Sequence, residues 1–391
     1  MGTFRCSRRH FGGTAAAVLA SLLVGAAPAE PRPPSDPVRD PVRDGDGLAD
    51  FVRRTWPEGA GGTVLAARGG ELVYCEGFGL ADRAAGIRAS CGTVYDVMSV
   101  TKQFTAAAIL KLEVLGRLRV SDRIGRHLGP VPDDKRDITV EHLLTHTSGL
   151  VEALGDDYDP LSRDELVRGA LTSRPRSAPG AEFHYSNTGY SLLAAIVEKA
   201  SGQAYEPFLA RHLFAPAGMT RTGYVLPRWP RQLVAVEYDR LGRSQGRPFD
   251  HPWAADGPYW NLRGNGGMLS TAGDMLRWHR ALLGEEILPA RARDKLFEPR
   301  VAEPDSENRY GYGWSIRETP DGRLAWHDGG NGWSLALLGR SLGDGVLVFW
   351  ASNHAYRDGK WNLEERAQSL TLGIVERTKP PRTVLSGAAS P

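Results

Sequence analysis

The sequence predicts an α/β sandwich whose sheet is assembled from distant parts of the chain. Three observations carry this reading: strand patterning within residues 63–78, the same patterning between residues 310 and 352, and helical spacing with recognisable caps in between. With 391 residues there is ample chain to bury a core.

The elements follow in order. Asp46–Trp56 has helical spacing. Thr63–Ala67 and Glu71–Phe78 flank Arg68, Gly69 and Gly70, which reads as a hairpin. From Met98 to Leu115 the spacing is helical, with Phe104, Ala108, Leu112 and Leu115 on one face. Ser162 and Glu165 form a capping box, Ser191–Ala200 is a helix closed by Ser201 and Gly202, and Ser270–Thr271 caps Met275–Leu283. Strand patterning returns in Tyr310–Arg317, Arg323–His327, Ser334–Arg340 and Val346–Ser352, and a last helix is expected around Glu364–Arg377.

The ends read differently. Residues 1–29 hold Arg5, Arg8 and Arg9 and no acidic residue, then a weakly apolar run from Phe11 to Ala26, then Ala27, Pro28 and Ala29. That is the pattern of an export signal cleaved after Ala29, and the paired Arg8 and Arg9 fit the twin-arginine type. The run is too short and too rich in Ala to span a membrane comfortably. Residues 30–46 form a Pro-rich linker with a repeated Asp-Pro-Val-Arg, since proline interrupts helix and ladder alike. Residues 47–376 are the globular domain, with a helical region over roughly 115–300, and residues 377–391 read as a flexible tail.

Composition excludes more than it identifies. Lys plus Arg number 48 against 46 Asp plus Glu. Removing the three leader arginines leaves 45 against 46, so the mature chain has no basic excess for a nucleic acid. Three cysteines are too few for a disulfide scaffold. Cys75 and Cys91 survive cleavage, either as a bridge or as two separate thiols.

Ser99-Val100-Thr101-Lys102 opens the Met98–Leu115 helix, and i, i+3 spacing brings hydroxyl and amine onto one face. A helix N-terminus offers free N–H groups and a positive dipole end to a developing oxyanion. A crowded, buried lysine could lose its proton easily enough to accept the serine's. Alone, S-x-x-K recurs by chance. Two further elements give it weight: Tyr185-Ser186-Asn187 before a helix, and His327-Asp328-Gly329-Gly330 at a strand end, where paired glycines allow close backbone approach.

With Leu143–Gly149, Gly266–Thr271 and Tyr310–Trp314, these stretches resemble the serine β-lactamase and penicillin-binding family. The likeness is to the branch holding class C β-lactamases, D-alanyl-D-alanine carboxypeptidases, D-aminopeptidases and related esterases. The resemblance implies a β-lactamase/transpeptidase-like fold: an antiparallel sheet flanked by helices, a mainly helical subdomain, and the active site between them. It implies Ser99 as nucleophile, with Lys102 and Tyr185 exchanging its proton in an order left open. It further implies Asn187, His327 and Gly329 at the substrate and the N–H groups of Ser99 and Gly330 as oxyanion hole. Tyr259 and Trp260 are either pocket wall or core. No metal or other cofactor is expected, nor any integral membrane segment after cleavage. The expected protein is a monomer exported across a bacterial membrane, acting on a small ester or peptide. His327 stands where β-lactamases usually carry lysine, which favours peptidase or esterase action over penicillin hydrolysis; a slow-turnover penicillin-binding protein and a true β-lactamase are the alternatives.

Two patterns are set aside. Gly339–Gly343 matches G-x-S-x-G but precedes another apolar strand, so it reads as a hairpin turn. His142 and His146 lack the H-E-x-x-H pattern and read as structural.

Overall fold

Val346–Ser352 is buried at every position, and its alternation organises the molecule. Successive side chains of a strand point to opposite faces. Val346, Val348 and Trp350 enter one core, whereas Leu347, Phe349 and Ala351 enter another. Gly62–Arg68 repeats the pattern, with Val64 and Ala66 on the first face and Leu65 and Ala67 on the second. An antiparallel strand this apolar on both sides must be covered by a layer on each.

The computed structural model describes residues 47–320 and 322–379. The expected leader, the linker and residues 380–391 of the expected tail lie outside the described residues; Arg377 and Thr378, assigned to that tail, instead continue the last helix, Leu363–Thr378, with Thr378 buried. Among the described residues, the main sheet has eight strands in the order Val301–Ala302, Arg309–Tyr310, Ser315–Thr319, Gly322–Gly330, Leu335–Ser341, Val346–Ser352, Gly62–Arg68 and Glu71–Phe78. Every neighbouring pair is antiparallel. The two ends of the chain meet where Gly62 faces Ser352 and Arg68 faces Val346. The sheet is thus assembled from distant segments as the patterning predicts, and Gly339–Gly343 lies at a strand end and hairpin turn.

Leu48–Thr55 and Leu363–Thr378 cover the first face, through Leu48, Val52, Leu370 and Ile374. The second face carries the helical layer, including Thr101–Val114, Asn187–Ser201 and Ala272–Leu283. Three predicted caps are present: Ser162 with Glu165, Gly202 in the left-handed conformation, and Thr271 accepting from the Asp274 N–H.

Three expectations need correction. Thr101–Val114 is buried on every side from Thr101 to Leu110, not along one stripe, because it lies between the sheet and outer helices. Leu115, assigned to its buried face, is 46% exposed beyond the helix end. Tyr310–Arg317 is not one strand: Gly311–Trp314 interrupts it. Gly313 adopts φ +76°, and a Cβ there would stand 2.8 Å from the Lys102 carbonyl oxygen, so the chain bends to meet the Thr101–Val114 helix. Cys75 and Cys91 form a disulfide with Cα atoms 6.1 Å apart, which settles the open choice between bridge and free thiols.

Candidate active site

The candidate site lies where the Gly322–Gly330 strand meets the start of the Thr101–Val114 helix. Ser99 sits in a single 3₁₀ turn, Met98–Val100, and the α-helix proper begins at Thr101. Met98 has φ +46°, a left-handed conformation costly for a side chain of its size, one residue before the serine. Asp96 holds this turn by accepting the Met98 N–H at 2.6 Å. Ser99 itself is half-buried.

Lys102 is fully buried. Its Nζ donates to Ser99 Oγ at 2.9 Å, to Asn187 Oδ1 at 2.8 Å and to the Asn265 carbonyl at 2.9 Å. Burial pushes its pKa down to about 7, against the opposing pull of Asp157, Asp328 and Glu152. Two of the three ammonium protons are held by groups that can only accept. A neutral amine keeping those two bonds therefore presents its lone pair to Ser99 Oγ.

Tyr185 and Asn187 arrive together at the start of the Asn187–Ser201 helix. Ser186 caps it, accepting from the Gly189 N–H at 3.0 Å and donating to the Val151 carbonyl at 2.7 Å. Burial holds the Tyr185 phenol above the ordinary value, partly offset by the neighbouring Ser99 hydroxyl. Its ring is 4.8 Å from Lys102 Nζ and packs on His146, centroids 4.4 Å apart. His146 Nδ1 accepts the Ser186 N–H at 3.0 Å. This histidine is structural, as the sequence suggests, yet it supports Tyr185 from beneath. Burial, with Lys102 and His327 nearby, keeps it neutral.

The strand behind the serine is paired on one side only at its end. Ser315–Thr319 pairs with it as far as Trp326, whereas Leu335–Ser341 continues to Gly330. His327–Gly330 therefore present a free edge toward the site. A Cβ on Gly329 would stand 2.4 Å from the Ser99 nitrogen. Only glycine lets the strand approach this closely. Gly330 is exposed at the strand end.

His327 departs from the role expected of it. It is buried, and burial together with Lys102 holds its pKa down to about 3. Nδ1 lies 2.5 Å from the Asp328 carbonyl, which can only accept, so Nδ1 carries the proton and Nε2 accepts from the Tyr310 hydroxyl at 3.0 Å. Both ring nitrogens are engaged within the protein. His327 thus offers a substrate neither positive charge nor a free hydrogen bond in this arrangement.

Trp260 is buried, whereas Tyr259 is half-buried. Their segment leads to Asn265, whose carbonyl receives Lys102. The Asn265 side chain is tied to Ser191 Oγ at 2.8 Å and the Asn261 carbonyl at 2.7 Å, which fixes that carbonyl. Sequence reasoning misses Asn265, because a main-chain acceptor carries no residue-type signal. Tyr310 is missed as a site residue too, although its Tyr-Gly-Tyr-Gly-Trp stretch stands out in the sequence.

Known proteins share this fold. The chain is 30% identical over 293 residues to a penicillin-binding protein of Bacillus subtilis (strain 168), covering 71% of this chain and 64% of that one. It therefore spans less than two thirds of that relative's length. An octameric penicillin-binding protein homologue from Pyrococcus abyssi superposes with a TM-score of 0.70 at 26% identity, covering 83% of this chain and 77% of the other. A beta-lactamase/D-alanine carboxypeptidase from Pseudomonas syringae gives 0.73 at 19% identity over 86% of this chain and all of that one, a likeness of fold alone. The Beta-lactamase family model matches residues 48–372. Since that match runs from the first described helix well into the last, this chain belongs to the beta-lactamase family.

Proposed function

We propose that the protein is an exported serine hydrolase that forms an acyl-enzyme on Ser99 and acts on small acyl esters or D-amino-acid-containing peptides. The observation that carries this reading is the Lys102 amine, 2.9 Å from Ser99 Oγ, with its other two protons held and its pKa near 7. Ser99 Oγ attacks the acyl carbon as its proton passes to Lys102. The bond to the leaving group then breaks, and Tyr185 delivers a proton to the departing atom while Lys102 passes the serine's proton on to Tyr185. Water repeats the sequence to free the acid and regenerate Ser99. The N–H groups of Ser99 and Gly330 serve the oxyanion, and Asn187 orients the substrate amide.

Neutral, engaged His327 supports esterase or peptidase action over penicillin hydrolysis, because it supplies no cation to a substrate carboxylate. The Cys75–Cys91 bridge supports export, since disulfides persist in oxidising compartments. No helix among the described residues is long and apolar enough to cross a membrane. The names of the relatives favour one second reading, slow turnover of a penicillin adduct.

Intact-mass labelling with a fluorophosphonate and with penicillin tests both readings, comparing the wild type with Ser99→Ala. Stoichiometric fluorophosphonate labelling lost in Ser99→Ala is expected, with fast turnover of a p-nitrophenyl ester. A persistent penicilloyl adduct selects the second reading. Failure of both reagents to label the wild type removes Ser99 as nucleophile.

A further inference from the structure

Arg340 lies in the Leu335–Ser341 strand, only 2% exposed, pointing into the helical layer. Its Nε donates to His279 Nδ1 at 3.0 Å, and its Nη1 is buried with no hydrogen-bond partner. No carboxylate among the described residues pairs with it; the one side-chain charge acting on it is another cation, Arg293. Arg293 is itself committed, to the Leu283 and Gly284 carbonyls and to Asp294. His279 cannot serve as counter-charge, since an imidazole accepting from a guanidinium is neutral. The guanidinium faces the rings of Phe297 and Trp314, at 5.0 and 6.0 Å. Trp314 Nε1 and His279 Nε2 are also buried and without a partner.

Buried charges in proteins are paired, and arginine does not escape by losing its proton at neutral pH. Aromatic faces attract a cation but give its N–H groups no acceptor. The unmet requirement here is one negative charge that accepts from buried N–H donors. We propose that Arg340 and Trp314 hold a small monovalent anion of the halide class inside the helical layer. A single uncompensated charge calls for a monovalent ion. A halide needs few donors, whereas a tetrahedral oxyanion would bring more acceptor atoms than these groups can satisfy.

The test uses the full chain. Thermal unfolding is followed in sodium chloride and sodium bromide against sodium gluconate at equal ionic strength. A site that binds only the folded state raises the midpoint by about 2 °C for each tenfold rise in halide above its Kd. In Arg340→Met this halide dependence is expected to vanish. Midpoints equal in chloride and gluconate overturn the proposal, and a halide effect unchanged in Arg340→Met overturns the assignment to this residue. Should Arg340→Met not fold, bromide anomalous diffraction on the wild type decides. A peak within hydrogen-bonding distance of Arg340 Nη1 and Trp314 Nε1 is expected, and its absence overturns the site.

Discussion

Lys102 and Arg340 are both buried cations without a carboxylate ion-paired to them, and the molecule treats them in opposite ways. Around Lys102 stand two fixed acceptors and a hydroxyl, with carboxylates acting from further off. Around Arg340 stand a neutral imidazole and two aromatic rings. Burial pushes the lysine down to about 7, where it can shed its proton and become a base. The arginine, pushed only to about 9, stays charged at neutral pH. On the proposed readings, desolvation makes a base in one place and a demand for a counterion in the other; the side chain's own acidity decides which.

The largest expected effect tests that contrast directly. Lys102→Met should lower ester hydrolysis and fluorophosphonate labelling about 10⁴-fold. Lys102→Arg should be no better, because a guanidinium keeps the positive charge but cannot accept the serine proton. An active Lys102→Arg enzyme would break the comparison and point to Tyr185 as the base.

Next comes Gly329→Ala. A methyl 2.4 Å from the Ser99 nitrogen must push strand and serine apart, and displacement on that scale costs about 10²-fold in turnover. Thermal melts alongside the kinetics separate lost geometry from lost fold.

The pH profile follows. Lys102 must be neutral to act as base, so kcat/KM should rise about tenfold per pH unit below 7 and level off above it. A flat profile between pH 5 and 8 would exclude Lys102 as the titrating base.

The smallest effect is on stability. In Arg340→Lys the buried ammonium can deprotonate, and burial sets its folded pKa below the unfolded value. The unfolded chain then binds the extra proton, so stability rises with pH between the folded and unfolded pKa values, by at most about 1.4 kcal/mol per pH unit. Urea unfolding at pH 7 and pH 9 should show the gap from wild type narrowing as pH rises.

Much of this was legible in the chain. Apolar β-branched and aromatic runs such as Val346–Ser352 and the caps at Ser162, Gly202 and Thr271 act locally, so the sequence reports them faithfully. The Ser99–Lys102 pair was legible for the same reason, three residues apart on one turn. The Gly311–Trp314 break was not, because it answers to the Lys102 backbone more than 200 residues earlier. Nor was the engagement of His327, which depends on a Tyr310 hydroxyl in a different strand.

The sequence by itself determined the alternation of the sheet, the chain order of strands and helices, and the residue types able to do acyl chemistry. Tertiary structure decided the state those residues are in. It took Lys102 out of water and closed both nitrogens of His327. It also set a guanidinium among aromatic rings with no acid paired to it among the described residues. Protonation and hydrogen-bond partners depend on burial and on groups distant in the chain, and neither is a property of local spacing.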